Sequence, residues 1–239
     1  MIVEVCANSL ESARNAERAG ANRIELCSEL GVGGVTPSAG LIQLVKRELS
    51  IPVHVLIRPR GGHFTYSDAE FEVMKADILA CKALGVHGIV SGILMDDFSL
   101  DVERTKTLVE LAKPMHFTFH RAFDWVAEPL EAIQQLEAIG VQTILTSGGE
   151  PSAEKGIKNL EFWQQKTPMT IMAGGGVSPG NASKFKDIGL RAIHCSGTSF
   201  GNPIALDGKI SMNSAKHLVE DEVAVSNLET LTSVVRAVK

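Results

Sequence analysis

Two cysteines near the start of the chain are the first residues whose type and spacing suggest chemistry. Cys6 closes the run Ile2–Cys6, and Cys27 closes the run Arg23–Cys27. Both runs are short and alternate in the way strands do. With Val3 and Val5 on one face, Glu4 and Cys6 share the other. The same rule sets Arg23, Glu25 and Cys27 against Ile24 and Leu26. Neighbouring strands lie ~4.8 Å apart, so both sulfurs can reach one soft ion. Two thiolates favour Cu(I), with Met172, His120 or Glu25 available to complete the site. The plainer reading is that two small buried thiols fill space. Cys81, inside a helical stretch, and Cys195, on an outward face, read as packing.

A second set of residues suits anions and proton transfer. Arg58-Pro59-Arg60-Gly61-Gly62 leaves the third short run with two guanidinium forks, which bind carboxylates or phosphates bidentately. One of them can instead pair with Glu4 or Glu25. Gly174-Gly175-Gly176 follows the seventh run, and Ser196-Gly197 follows the eighth. Bare backbone N–H groups at those two places can cup a phosphate, or the glycines can simply permit turns. His120-Arg121-Ala122-Phe123-Asp124 offers a base, a cation and an acid on one loop, and Glu25 can exchange a proton with a histidine. Glu25, His120 and Asp124 are therefore the candidate catalytic groups. No lysine falls on a strand, so a Schiff-base aldolase lacks its nucleophile. No His-x-His pair marks a zinc hydrolase, and no Gly-Lys-Ser/Thr marks nucleotide hydrolysis.

Those residues need a frame, and the chain supplies one. Eight β-branched runs begin about every 27 residues, the length of a strand, a helix and two loops. They are Ile2–Cys6, Arg23–Cys27, Val53–Ile57, Gly88–Ser91, His116–Phe119, Thr143–Thr146, Thr170–Ala173 and Ala192–Cys195. Helical stretches lie between them. One runs from Asn8 or Ser9 to Gly20, and Ser38 opens Gly40–Leu49. Ser67 and Glu70 form a capping box for a run to Leu84. Others are Asp101–Leu111, a stretch from Pro129 to Gly140, Asn181–Ile188 and finally Asp221–Val238. No linker divides the chain, so residues 1–239 read as one (β/α)₈ TIM barrel. Alternation turns His54, Leu56, Arg58, Thr118, His120, His194 and Ser196 toward the axis. A structural barrel would fill that axis with Val, Ile and Leu, so polar groups there point to function or internal pairing. The polar segment 202–214 reads as either a lid or an oligomer contact.

Composition narrows the partners. The 239 residues carry 23 Lys+Arg against 28 Asp+Glu, a net charge of −5, with no basic tract to hold nucleic acid. Nine Phe, two Trp and one Tyr are too few for a base-stacking platform. No apolar run approaches the ~18 residues of a membrane span. Met1 leads straight into a strand without a signal-peptide pattern, so the expected location is cytoplasmic, with reduced thiols.

These motifs, in order along nearly the whole chain, resemble the CutC family. The matching stretches are Glu4-Val-Cys6 with Ser9, Asn22–Cys27, Gly33–Ser38, Ile57–Gly62, Phe119–Asp124, Leu145–Gly148, Ile171–Val177 and His194–Ser196. The resemblance implies a cytoplasmic TIM barrel, a homo-oligomer (dimer or tetramer), and a part in copper homeostasis with a copper ion as partner. It places the family's proposed copper-binding cysteines at Cys6 and Cys27. One departure stands out: His63 follows Arg58–Gly62 where the family commonly has Asp or Asn. The Arg- and Gly-rich mouth also looks like an enzyme's pocket for a small anionic or phosphorylated metabolite.

Overall fold

Val, Ile, Leu and Phe recur at alternate positions of eight short segments, and each segment is a strand. The computed structural model describes residues 1–201, 203–210 and 223–239. The strands are β1 (Ile2–Ala7), β2 (Arg23–Leu26), β3 (Val53–Leu56), β4 (Gly88–Ser91), β5 (His116–Phe119), β6 (Thr143–Thr146), β7 (Thr170–Ala173) and β8 (Ala192–Cys195). Each runs parallel to the next and β8 pairs with β1, closing the TIM barrel that the strand spacing predicts.

The helices surround it: α1 (Leu10–Arg18), α2 (Ala39–Glu48), α3 (Asp68–Ala83), α4 (Val102–Ala112), α5 (Pro129–Ala138), α6 (Ile157–Gln164), α7 (Ala182–Asp187) and α8 (Leu228–Val238). Their starts follow local chemistry. Ser9, Ser38 and Asp101 accept a backbone N–H of the first turn, and Ser67 with Glu70 forms the complete capping box. Pro129 opens α5, where its missing N–H costs nothing. The outward strand residues Val3, Val5, Ile24, Val55 and Phe117 join Ala13, Val45, Met74 and Ile78 of the helices in one apolar layer.

Two segments differ from the sequence reading. The stretch expected as a helix from Asp221 begins, where described, as β10 (Val223–Ser226). It pairs antiparallel with β9 (Thr198–Gly201). The helix starts only at Leu228, because Asn227 accepts the Thr230 N–H and caps it there. Helix α6 carries no sequence signal at its start: its N-cap is Gly156, which has no side chain to cap it. Of the polar segment 202–214, position 202 and positions 211–214 lie outside the described residues.

Gly156 also carries a packing constraint. A Cβ there would lie 2.0 Å from the Ser147 carbonyl oxygen and 2.8 Å from Gly148 Cα. Both are backbone and cannot swing aside. Gly156→Ala is expected to cost at least about 1–3 kcal/mol, read as a lowered urea midpoint at unchanged slope. An unchanged midpoint would contradict the packing argument.

Candidate functional site

Strand register builds the site from its floor upward. Glu4 stands beside Arg23 of β2 on one flank and His194 of β8 on the other. The Arg23 Nε donates to Glu4 Oε2 at 2.5 Å, and His194 Nδ1 lies 2.9 Å from Glu4 Oε1. His54 Nδ1 is 3.7 Å from the same carboxylate. Burial works to neutralise Glu4. The Arg23 charge, the His194 hydrogen bond and the two imidazoles outweigh it and hold the carboxyl well below the usual range. His54 and His116 stack at 5.2 Å, and burial pushes them down to about 3 and about 4. Gly88 leaves room for this stack, since a Cβ there would sit 2.6 Å from the His54 ring.

One layer higher, Cys6 is in register with Glu25. Cys27 follows β2 and is tied to β1 through its N–H to the Ala7 carbonyl. The two sulfurs, both buried, lie 3.6 Å apart. Leu30, Leu56 and Val90 pack against them. His194 Nε2 reaches to 3.5 Å from Glu25 Oε2. One ligand atom each from Cys6, Glu25 and His194 falls within 4.8 Å of the others. The hydrogen bond with Cys27, then burial, then the Glu25 charge push the Cys6 thiol well above its ordinary value. Burial and the Glu4 charge raise Glu25. Burial pulls His194 down, but its bond to Glu4 and the charges of Glu25 and Glu4 raise it overall.

This group opens into a cavity of about 120 Å³. Cys6, Glu25, Cys27 and His194 line it from β1, β2 and β8, and Arg58, Phe64, His120 and Arg121 line it from β3, β5 and their loops. Arg58 is buried, with Nη1 donating to Val32 and Gly34 carbonyls and Nη2 to that of Gly62, at 2.7–2.8 Å. His120 Nδ1 accepts the Ala122 N–H at 3.1 Å. Burial first, and the Arg58 charge second, push His120 down to about 3.

Other candidates lie elsewhere. Arg60 turns to Glu70 (2.5 Å) and to the Thr65 and His63 carbonyls, holding the loop to α3. His63 is exposed, and its Nδ1 accepts the Thr65 N–H. Asp124 accepts from Thr146 Oγ1, from the Ser147 and Gly149 N–H groups and from Arg121 Nε, so it braces the β5 and β6 loops. Gly174 lies against Leu145, and Gly175 against the Arg121 guanidinium. The Gly176 carbonyl accepts from Asn181. Gly197 is packed under Leu231 of α8, its carbonyl accepting the Asn227 N–H, and Ser196 precedes it half-buried. None of these lines the central cavity. Met172 Sδ accepts from Arg23 in the barrel interior. Burial pushes Cys81 and Cys195 up to about 12, in keeping with packing roles. An outer groove of about 710 Å³ between the loops after β3 and β4 is larger, but brings no thiol or histidine together.

His194 is the member that residue-by-residue reading left out of the metal set. Alternation turns it inward, but its contacts with Glu4 and Glu25 exist only because β8 closes onto β1.

The profile described as "CutC family" matches residues 1–199. A human protein named copper homeostasis protein cutC homolog is 42% identical, covering 96% of this chain and 88% of its own length. Its mouse counterpart is 47% identical over 83% of this chain and 74% of its own. The crystal structure of a CutC protein from Streptococcus agalactiae superposes with a TM-score of 0.78 at 33% identity, covering 82% of this chain and 98% of that one. A thiamine phosphate pyrophosphorylase from Pyrococcus furiosus, at 15% identity and a TM-score of 0.60, shares the fold. Among the described residues, no helix is long and apolar enough to cross a membrane.

Proposed function

This chain belongs to the CutC family, and from that premise we propose that it handles copper, taking Cu(I) as cargo on Cys6 and Cys27 at the mouth of the barrel. The observation that carries this reading is the pair of buried sulfurs 3.6 Å apart on the wall of a cavity. With metal–sulfur bonds of about 2.3 Å, that spacing gives an S–metal–S angle of about 100°, which leaves room for a further ligand. Glu25 and His194 stand where one is needed. Glu4 holds Nδ1 of His194 and leaves Nε2 on the side of Glu25, the carboxylate–histidine arrangement that orients metal ligands. Thiolates are soft donors, which favour Cu(I) over the hard cations. Leu30, Leu56 and Val90 pack around the sulfurs and give them an apolar setting. A reducing, cytoplasmic location and a dimeric or tetrameric assembly go with this reading.

The test is competition for Cu(I) against a chelator of known affinity. Cys6→Ser and Cys27→Ser are each expected to bind at least about tenfold more weakly than the wild type. Equal affinities, or a wild-type affinity no tighter than millimolar, would overturn the reading.

A second reading, an enzyme acting on a small anionic metabolite, is favoured by the coupling of Glu25 to His194. The two groups are 3.5 Å apart and both titrate above their ordinary values, as a proton-exchanging pair in a cavity would. In that reading His120 and Arg58 contact the ligand, while Asp124 and the Gly174–Gly176 and Ser196–Gly197 segments support the surrounding loops.

A further inference from the structure

The part of the cavity wall built from β3 and β5 carries an unbalanced charge. Arg58 is 5% exposed, and among the described residues no carboxylate pairs with it. Its two terminal nitrogens are spent on neutral carbonyls of the Val32–Gly34 and Gly62 loops. Its Nε–H is buried and makes no hydrogen bond to the described residues, although the Tyr66 hydroxyl, also buried and unbonded, lies near the guanidinium. A buried guanidinium without a counter-charge is costly, and an unmet donor adds to that cost.

His120 presents the same deficit. The Ala122 N–H points at Nδ1, so the lone pair is there and the ring proton is on Nε2. Nε2 is also buried and without a partner among the described residues. The ring is 5% exposed and lines the same cavity. Phe64 joins the two groups: its ring lies 5.0 Å from Arg58 Cζ and 4.9 Å from the His120 centroid. Here, then, are two unbonded N–H donors and one positive charge with no carboxylate paired to it among the described residues.

We propose that this wall is a binding site for a small carboxylate, its oxygens accepting from Arg58 Nε–H and His120 Nε2–H. A carboxylate supplies both missing features, a negative charge and two acceptor atoms in one plane. The volume of about 120 Å³ sets the size. At ~30 Å³ per water it holds about four waters, which suits a ligand of about four to six heavy atoms. The carbon end of such a ligand faces Cys6, Glu25 and His194. The inference deepens the second reading by naming its ligand class, and it does not depend on copper.

The experiment uses the full chain, prepared without carboxylate buffers, at constant ionic strength. Acetate and glycolate are titrated, with inorganic phosphate and chloride as comparators. Calorimetry reads affinity, and ¹⁵N-resolved NMR of the imidazole reads the His120 Nε2–H directly. Saturable binding of acetate or glycolate that shifts this resonance is expected, with binding at least about tenfold weaker in His120→Phe. Arg58→Lys, which keeps the charge but loses the fork, is expected to weaken binding similarly. If either variant fails to fold, the imidazole signal of the wild type still decides. No shift at saturating carboxylate, tighter binding of phosphate, or an equal response to chloride would each overturn the proposal. Cu(I) affinity is measured separately, so failure of one reading leaves the other intact.

Discussion

Replacing Glu4 by glutamine is expected to destabilise the protein by about 3–5 kcal/mol, the usual cost of removing one partner from a buried ion pair. The side chain is fully buried, and its two oxygens face Arg23, His194 and His54. Glutamine has nearly the same volume, so the loss is electrostatic rather than a cavity effect. It removes the ion-pair partner of the Arg23 guanidinium, itself buried, and turns an amide N–H₂ toward other donors. Urea unfolding at pH 7 measures the effect, and a loss under about 1 kcal/mol would show that the network contributes little.

The pH dependence has a definite sign. The folded-state pKa of Glu4 lies below its unfolded value. The stability it contributes is therefore complete above the unfolded pKa, near 4.5, and drains away as pH falls through the folded value. Glu4→Gln should flatten stability against pH in the acid range. It should also lower the pKa of His194, which loses the hydrogen bond that helps hold it up. NMR titration of that imidazole separates this effect from general destabilisation.

Cu(I) affinity is expected to rise at least tenfold per pH unit between about pH 6 and pH 8, or at least about 100-fold over that range. The metal takes a thiolate, so it must displace the Cys6 proton. The bond to Cys27, burial and the Glu25 charge all hold that proton in place. One displaced proton gives a slope of one logarithmic unit per pH unit, and a second would double it. Cys6→Ser should remove one unit of slope as well as lower the affinity. Competition at several pH values, with a chelator of known proton linkage, measures both. A wild-type affinity independent of pH would show that the copper ligands are not thiols carrying protons in the free protein.

How much of this was legible in the sequence can be judged from particular residues. Alternation along β1 and β2 was enough to turn Glu4, Cys6, Glu25 and Cys27 inward, because a strand has no other way to place its side chains. The helical stretch around Cys81 and alternation along β8 at Cys195 set those two thiols apart from Cys6 and Cys27. Helix α8 was misplaced at its start because Val223–Ser226 fits either period, and its pairing with β9 decided the matter. Arg60 and Asp124 look as free as Arg58 and His120 when read in order. Their partners, Glu70 for one and the β6 loop for the other, are brought to them by folding.

By itself the sequence determined the eightfold repeat, the closed barrel, the inward set of polar side chains and the family. These follow from local periodicity and from motifs in linear order. Tertiary structure alone decided which inward residues meet. Closure of β8 onto β1 brought His194 to Glu4 across 190 positions of chain, and the loops after β2 and β3 spent Arg58's terminal nitrogens while leaving its Nε free. The physical reason is that alternation sets only the face a side chain occupies. Its partners, its charge balance and its proton depend on distances between strands far apart in sequence.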